Sequence, residues 1–83
     1  MTRRTMVSGY WVYETKWGVF RIVPLGGQWQ VLFDGHGLGG YSTPEAALDD
    51  LVGGHTYSLP GGLDSSRMGL PEDLSEWDFF TQR

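Results

Sequence analysis

The sequence predicts an α+β fold in which a three-stranded antiparallel sheet is followed by one helix. Three runs rich in β-branched and aromatic residues, at about 8–14, 19–24 and 28–33, are typical of strands. The loops between them are short enough for an antiparallel meander. After these runs, the signal Thr43-Pro44-Glu45 opens a segment in which apolar residues recur at helical spacing.

The second and third runs alternate in the manner of half-buried strands. In the second run, Phe20 and Ile22 fall on one face and Arg21 falls on the other. The third run places three apolar side chains on one face, namely Trp29, Val31 and Phe33. Residues 34–40 contain four glycines, which destabilise helices and strands alike, so the sequence predicts a loop there.

Two caps are compatible with the start of the helix, which is predicted over residues 44–52. Either Thr43 caps it, or Ser42 forms a capping box with Glu45. A stripe at spacings of three and four predicts the buried face of the helix: Ala47, Leu48, Leu51 and Val52. The pair Gly53-Gly54 then predicts a left-handed cap at the C-terminal end.

The remaining residues are predicted to form an irregular C-terminal extension that packs back onto the helix or the sheet. Their apolar side chains would otherwise form an exposed patch that invites aggregation. Leu70, Leu74 and Trp77 have the spacing of one or two helical turns. Alternatively, a final extended segment begins at Trp77 and continues through Phe80.

Length and composition indicate one small domain. We predict a flexible leader at residues 1–6 and a single domain at residues 7–83. The sequence contains no cysteine, which excludes disulfides and thiolate metal ligands. No apolar run approaches the roughly 20 residues of a transmembrane helix, and no signal peptide is recognisable. The sequence therefore predicts a cytoplasmic protein with no membrane contact.

Charge is distributed unevenly along the chain. Residues 1–41 carry four basic and two acidic side chains, whereas residues 42–83 carry two basic and eight acidic ones. The overall charge of −4 argues against a general affinity for nucleic acid, which needs clustered Lys and Arg. The acidic second half instead suits a basic partner.

No motif in the sequence indicates catalysis, a cofactor or a metal. The glycines between Gly35 and Gly40 lack the spacing of a dinucleotide fingerprint and the lysine of a phosphate-binding loop. His36 and His55 are the only histidines, and a metal site would need two or three further ligands. The Gly-x-Ser-x-Gly nucleophile elbow is missing. We predict that the protein is not an enzyme and binds no cofactor.

Four motifs carry a family resemblance: Trp29-x-Val31-x-Phe33, Gly39-Gly40-Tyr41-x-Thr43-Pro44-x-x-Ala47-x-x-Asp50-Leu51, Gly54-x-Thr56 and Leu70-Pro71-x-x-Leu74-x-x-Trp77. Over roughly residues 27–80, the chain resembles a group of small uncharacterised proteins of bacteria and their phages. The resemblance implies a strand, a glycine turn, a capped helix and a Leu-Pro…Trp tail, and it implies no activity. The order of three strands and one helix is also similar in topology to the DNA-binding arm modules of phage integrases.

Aromatic and basic residues on or beside the predicted strands form the candidate binding set: Tyr10, Trp11, Tyr13, Lys16, Trp17, Arg21 and Trp29. One helix covers only one face of a sheet, and an aromatic, basic face suits a protein partner or stacked bases. Alternatively, the C-terminal tail covers that second face. We predict a non-enzymatic protein that binds an unknown protein partner through the exposed sheet face or the acidic C-terminal half.

Two other functions remain open. A nucleic-acid-binding module would need Lys16 and Arg21 on one exposed patch with at least one aromatic side chain. An inhibitor of the kind that phages produce would use an acidic surface against a basic host protein. That second function requires six carboxylates to converge: Asp49, Asp50, Glu72, Asp73, Glu76 and Asp78.

Overall fold

The computed structural model describes residues 8–82 of the protein, and the side chains of residues 9–81. The predicted leader at residues 1–6 therefore lies outside the described residues. The elements, in chain order, are β1 (Ser8–Glu14), β2 (Val19–Leu25), β3 (Gln28–Phe33), β4 (His36–Tyr41), α1 (Pro44–Gly53), 3₁₀ turns at Pro60–Gly62, Ser65–Arg67 and Leu74–Glu76, and β5 (Asp78–Gln82).

One antiparallel sheet and one helix make up the fold, which confirms the predicted α+β class. The strands lie in the order β4-β3-β2-β1-β5, and each is antiparallel to its neighbours. The prediction of three strands was wrong, because the sheet has five. The three predicted strands form its centre, and the two additional strands, β4 and β5, form its two edges.

Strand β4 occupies most of the segment that the glycines predicted to be a loop. The turn is only two residues long: Asp34 and Gly35 both have positive φ, at 49° and 89°, as a tight hairpin turn requires. The bulge at Val31/Leu32 then leaves Leu38 as the additional residue, and its side chain is buried in the core. Pairing with β3 and this one apolar anchor outweigh the low strand propensity of the glycines.

The predicted C-terminal extension is not irregular throughout, because its end forms strand β5. As predicted, the segment packs back onto the sheet. Trp77 ends the last 3₁₀ turn and is buried. Its indole Nε1–H donates to the carbonyl of Pro71 at 3.1 Å, and its ring lies 5.5 Å from that of Tyr13. The chain is thereby held beside β1, and the residues from Asp78 onward pair with it. Both alternatives for this segment were partly correct, since a 3₁₀ turn precedes an extended strand.

The helix follows the sequence prediction closely and ends one residue later than predicted. Of the two possible caps, Thr43 is the one formed, since its Oγ1 accepts a hydrogen bond from the amide of Ala46 at 3.0 Å. Gly54 ends the helix in the left-handed conformation with φ at 77°. The predicted stripe faces the sheet: Ala47, Leu48 and Leu51 are buried, and Val52 is half-buried.

The core lies between the sheet and the layer formed by α1 and the turns after it. The sheet contributes Phe20, Ile22, Val31, Phe33 and Leu38, and the covering layer contributes Ala47, Leu48, Leu51, Leu59, Leu70 and Trp77. The buried hydroxyl of Ser65 donates to the carbonyl of Leu51 at 2.6 Å, which ties the second 3₁₀ turn to the end of the helix. All of these residues lie on one side of the sheet.

The choice of cap gives a stability prediction. Thr43→Ala is expected to lower the free energy of unfolding by about 1 kcal/mol, because the amide of Ala46 loses its acceptor. Ser42→Ala is the matched control, since this neighbouring exposed hydroxyl does not cap the helix. Urea unfolding of both variants measures the difference. Equal losses in the two variants would contradict the assignment of the cap.

Candidate functional site

The side of the sheet opposite to α1, here called the open face, is the main candidate surface. Side chains alternate along each strand, so the observed register decides which residues belong to it. Its members are Tyr10, Val12, Glu14, Val19, Arg21, Val23, Leu25, Gln28, Gln30, Leu32, Asp78 and Phe80. Val12 is the one buried member, with 7% of its surface exposed, and none of the others belongs to the core. The main core cluster contains no residue of this face, and the described helix and 3₁₀ turns contribute to that cluster only on the other side.

The predicted binding residues do not form one surface. Trp11, Tyr13 and Trp29 point to the helix side and pack against the core, and the rings of Trp11 and Trp29 lie 5.6 Å apart. These three aromatic residues therefore stabilise the fold. Of the other predicted residues, only Tyr10 and Arg21 lie on the open face.

Lys16 and Trp17 form the two-residue tip of the β1–β2 hairpin. The Nζ of Lys16 lies 5.0 Å from the centre of the Trp17 ring, a cation–π contact at an exposed site. Trp17 also lines a cleft of 410 Å³ with Met68 and Arg67. This tip is a separate feature, distinct from the strand positions that build the open face.

The centre of the open face is aromatic and aliphatic. Tyr10 of β1 and Phe80 of β5 are paired, and their rings stack with centroids 5.6 Å apart and an interplanar angle of 25°. Phe80 keeps 48% of its surface exposed. Beside this stack, Val12 lies between Asp78 and Arg21 in the pairing register, and Arg21 is opposite Leu32. The apolar members form a stripe that is interrupted by Arg21: Phe80, Tyr10, Val12 and Leu32.

Sequence reasoning missed Phe80 because it depended on finding β5. The alternation of β2 and β3 did separate Arg21 and Gln30 from the core positions. In β1, however, both faces carry apolar or aromatic residues, so polarity gives no sign that Tyr10 and Trp11 point in opposite directions. Only the register with β2 and β5 resolves the two faces of this strand.

The charges of the open face do not make it basic. Arg21 is the single cation among its described residues, and Glu14 and Asp78 lie on the same face. Neutralising phosphates requires several clustered cations, so this surface lacks the electrostatic footprint that is typical of nucleic-acid-binding proteins.

A second candidate surface is an acidic cleft of 230 Å³ between α1 and the segment before β5. Four carboxylates line it, from Glu45, Asp49, Glu72 and Asp73, and its apolar lining comes from Leu48 and Leu74. The amide and hydroxyl of Ser75 hydrogen-bond the Asp73 carboxylate and lower its pKa, so this group stays ionised.

The six carboxylates predicted to converge are therefore divided among several places. Asp49, Glu72 and Asp73 meet at the acidic cleft, where Glu45 joins them. Asp78 lies on the open face of the sheet, and Asp50 lies beside the phenol of Tyr41. Glu76 is exposed in the last 3₁₀ turn and does not line the cleft.

The described residues offer no grouped metal ligands. Within residues 8–82, no three side chains of His, Cys, Asp or Glu lie together in a way that could hold a metal ion. His36 begins β4 and His55 follows α1, and both are exposed. Among the same residues, no helix is both long and apolar enough to cross a membrane.

Comparisons with known proteins give no relative of this chain. No protein-family model, no curated protein and no solved structure matches it. The resemblance to small bacterial and phage proteins therefore stays a prediction.

Tyr41 gives a prediction that depends on pH. Burial raises the pKa of its phenol from 10.0 to about 12, and the neighbouring Asp50 carboxylate adds to the effect. Because the pKa is raised on folding, the neutral phenol stabilises the fold fully below pH 10.0, and this contribution is lost as the pH rises to about 12. Absorbance at tyrosinate wavelengths should show a late-ionising component that Tyr41→Phe removes. The prediction fails if that component persists in the variant.

Proposed function

We propose that this chain is a non-enzymatic protein-binding module that docks its partner on the open face. The observation that carries the proposal is the Tyr10–Phe80 stack, in which Phe80 keeps 48% of its surface exposed. Exposed aromatic rings surrounded by aliphatic side chains are the usual anchors of protein interfaces.

The arrangement of polar groups supports the same conclusion. The apolar stripe has Glu14 and Asp78 on one side, and Gln28 and Gln30 on the other. A fully buried centre with a polar rim is the anatomy expected of an interface that forms and dissociates. Arg21 lies within the stripe, and arginine is enriched at the energetic centre of such interfaces.

The β4 end of the open face is shaped by a glycine. Gly40 pairs with Gln30, and a Cβ at this position would lie 2.5 Å from Oε1 of Gln28 and 2.8 Å from Nε2 of Gln30. The absence of a side chain at Gly40 thus leaves room for these two amide groups beside the strand. The amides offer donors and acceptors to a docked partner.

A photo-cross-linking amino acid at Tyr10 tests the proposal in the cells that make the protein. The matched control is the same amino acid at Tyr57, which is 74% exposed in the loop after α1 and lies off the open face. We expect a discrete cross-linked protein from position 10 only. Val23 follows Ile22, the partner of Trp11, so Val23→Lys places a charge next to Tyr10. It should abolish this product, whereas Tyr57→Lys should not.

The nature of the cross-linked product decides between the candidate functions. A protein product that Val23→Lys removes supports docking on the open face. A product that nuclease digests would instead support the nucleic-acid alternative. Absence of a product at position 10, or equal products at positions 10 and 57, would refute the proposed function. Circular dichroism of each variant establishes that the fold is retained.

The acidic cleft favours a second candidate function, the binding of a basic protein segment. Carboxylates from α1 and from the segment before β5 face one cleft with an apolar lining, which suits a lysine or arginine with its aliphatic stem. This geometry is the part of the chain that could act as an acidic inhibitor of a basic protein.

An oligolysine peptide tests the acidic cleft directly. The double variant Asp49→Lys/Glu72→Lys is expected to weaken peptide binding about five- to tenfold at low salt, because exposed ion pairs each contribute at most about 1 kcal/mol. A control double variant, Glu76→Lys/Asp78→Lys, makes the same change of charge away from the cleft. Equal weakening in both variants would show that total charge, and not the cleft, attracts the peptide.

A further inference from the structure

Strand β5 pairs with β1 on one side, and its outer edge is free of any other described strand. The hydrogen-bonding phase of this edge follows from the β1–β2 hairpin. There, Thr15 and Gly18 exchange both backbone hydrogen bonds, at 2.9 and 3.3 Å. Hydrogen-bonded and non-hydrogen-bonded pairs alternate along an antiparallel ladder. Counting back from Thr15, Tyr13 and Trp11 therefore direct their backbone N–H and C=O groups to β2. Tyr10 and Val12 therefore direct theirs to β5.

The same alternation continues into β5. Phe80 and Asp78 are the partners of Tyr10 and Val12, so their backbone groups bond with β1. The N–H and C=O groups of Phe79 and Thr81 must then point to the outer edge. None of these four groups is hydrogen-bonded to any residue that the structure describes outside the sheet. The edge thus presents two donors and two acceptors in a regular row.

We propose that β5 pairs with β5 of a second copy of this chain, antiparallel and with the two-fold axis at Phe80. In this register, Phe79 of each copy lies opposite Thr81 of the other. Each such pair exchanges both of its backbone hydrogen bonds, so all four outward groups of each edge are used in four bonds. A two-fold axis makes the surface self-complementary, as most homodimers are.

The side chains of β5 also fit a second copy of the strand. The two Phe80 rings meet across the axis as a closely spaced non-hydrogen-bonded pair, next to the existing stack with Tyr10. Asp78 lies opposite the second copy's Gln82, so the two Asp78 carboxylates stay about 13 Å apart along the strands. An aromatic contact is formed, and no like charges are placed together.

Neighbouring registers use fewer of the free groups. With the axis at Phe79, Thr81 would lie opposite the second copy's Trp77. The amide of Trp77 already donates to the carbonyl of Leu74 at 3.0 Å, so that donor is not free. Among residues 78–82, the axis at Phe80 is therefore the register in which the largest number of outward backbone groups form hydrogen bonds.

The opposite edge of the sheet is protected in ways that β5 is not. Strand β4 is interrupted by the bulge at Val31/Leu32, and the amide of Tyr57 donates to the carbonyl of Leu38 at 3.0 Å. Bulges and covering loops are common devices that prevent edge pairing. Strand β5 has neither device, contains no proline or lysine, and carries Phe79 and Phe80, each 48% exposed.

The predicted dimer should be weak and dependent on concentration, because one short strand from each copy buries less surface than a standard interface. It does not depend on the proposed partner binding, since its backbone hydrogen bonds come from the strand edge, and Phe80 is the one open-face side chain that contacts its counterpart in the second copy. If both occur, the two-fold axis joins the two open faces into one continuous surface.

Sedimentation velocity over a concentration series tests the dimer, starting from the 9.3 kDa monomer. Thr81→Pro removes an outward N–H in each copy without removing a bond to β1, so it should raise the dissociation constant at least about tenfold. Thr81→Val keeps the N–H and the branched shape, and it should dimerise like the original chain. Thr81→Lys, a charge at an exposed edge position, replaces the proline variant if that variant does not fold.

Amide hydrogen exchange of the unsubstituted protein provides a second measurement. The amides of Phe79 and Thr81 should become protected as the protein concentration rises. The proposal is overturned if the chain stays monomeric up to about 1 mM, a concentration that populates even weak specific complexes. It is also overturned if Thr81→Pro dimerises like Thr81→Val, or if Val23→Lys on the open face dissociates the dimer while Thr81→Pro does not.

The two proposals fail in different ways. Loss of the β5 dimer in Thr81→Pro, together with an unchanged cross-link from Tyr10 to another protein, would leave both intact. A cross-link that contains only two copies of this chain, and that Thr81→Pro removes, would support the dimer and count against the separate partner.

Discussion

The burial of Phe20 and Ile22 in β2 sets the orientation of the whole sheet. Both side chains are completely buried beneath α1 and the turns that follow it, and β2 is the central strand of the five. Because side chains alternate along a strand, their burial turns Arg21 and Val23 to the other side. Because paired residues point to the same side of the sheet, the register assigns the side chains of the other strands to the same two faces. A shift of the register by one residue would exchange the two faces of a strand. The open face is thus a direct result of how the core is packed.

The covering layer is small in relation to the sheet, and this decides where aromatic residues are needed. The ten-residue helix lies over β2, β3 and β4, which leaves β1 without a helix above it. Trp77 fills part of that space against Tyr13, and Trp11 packs between Trp29 and Phe79, at ring distances of 5.6 and 4.8 Å. Large rings bury much area with few residues, which is how a chain without disulfides completes a core of this size. No comparable layer of described residues covers the other face.

Local patterns in the sequence were sufficient for the central strands and the helix, and insufficient for the edges. The alternation in β2 and β3, the Thr43 cap and the apolar stripe of α1 are contained within short segments, so they could be predicted. Strand β4 was hidden by its glycines, although Asp34-Gly35 is a strong hairpin signal that could have revealed it. Strand β5 depends on pairing with β1 more than sixty residues away, which no local pattern reports. The predicted binding residues fell on both faces of the sheet for the same reason. Only the pairing of β1 with its neighbours shows which of its side chains point to which face.

The pairing of β5 with β1 also constrains how the chain reaches its folded state. The first and last strands of the described chain lie side by side, so the ladder between them closes the longest loop in the molecule. Contacts between residues so far apart in sequence slow folding, because the conformational entropy of closing the loop is lost before the favourable contacts form. Until β5 arrives, β1 is an edge strand with Trp11 and Tyr13 lacking their cover of Phe79 and Trp77. Slow arrival of β5 would therefore leave an aromatic strand edge open to aggregation while the protein is being made.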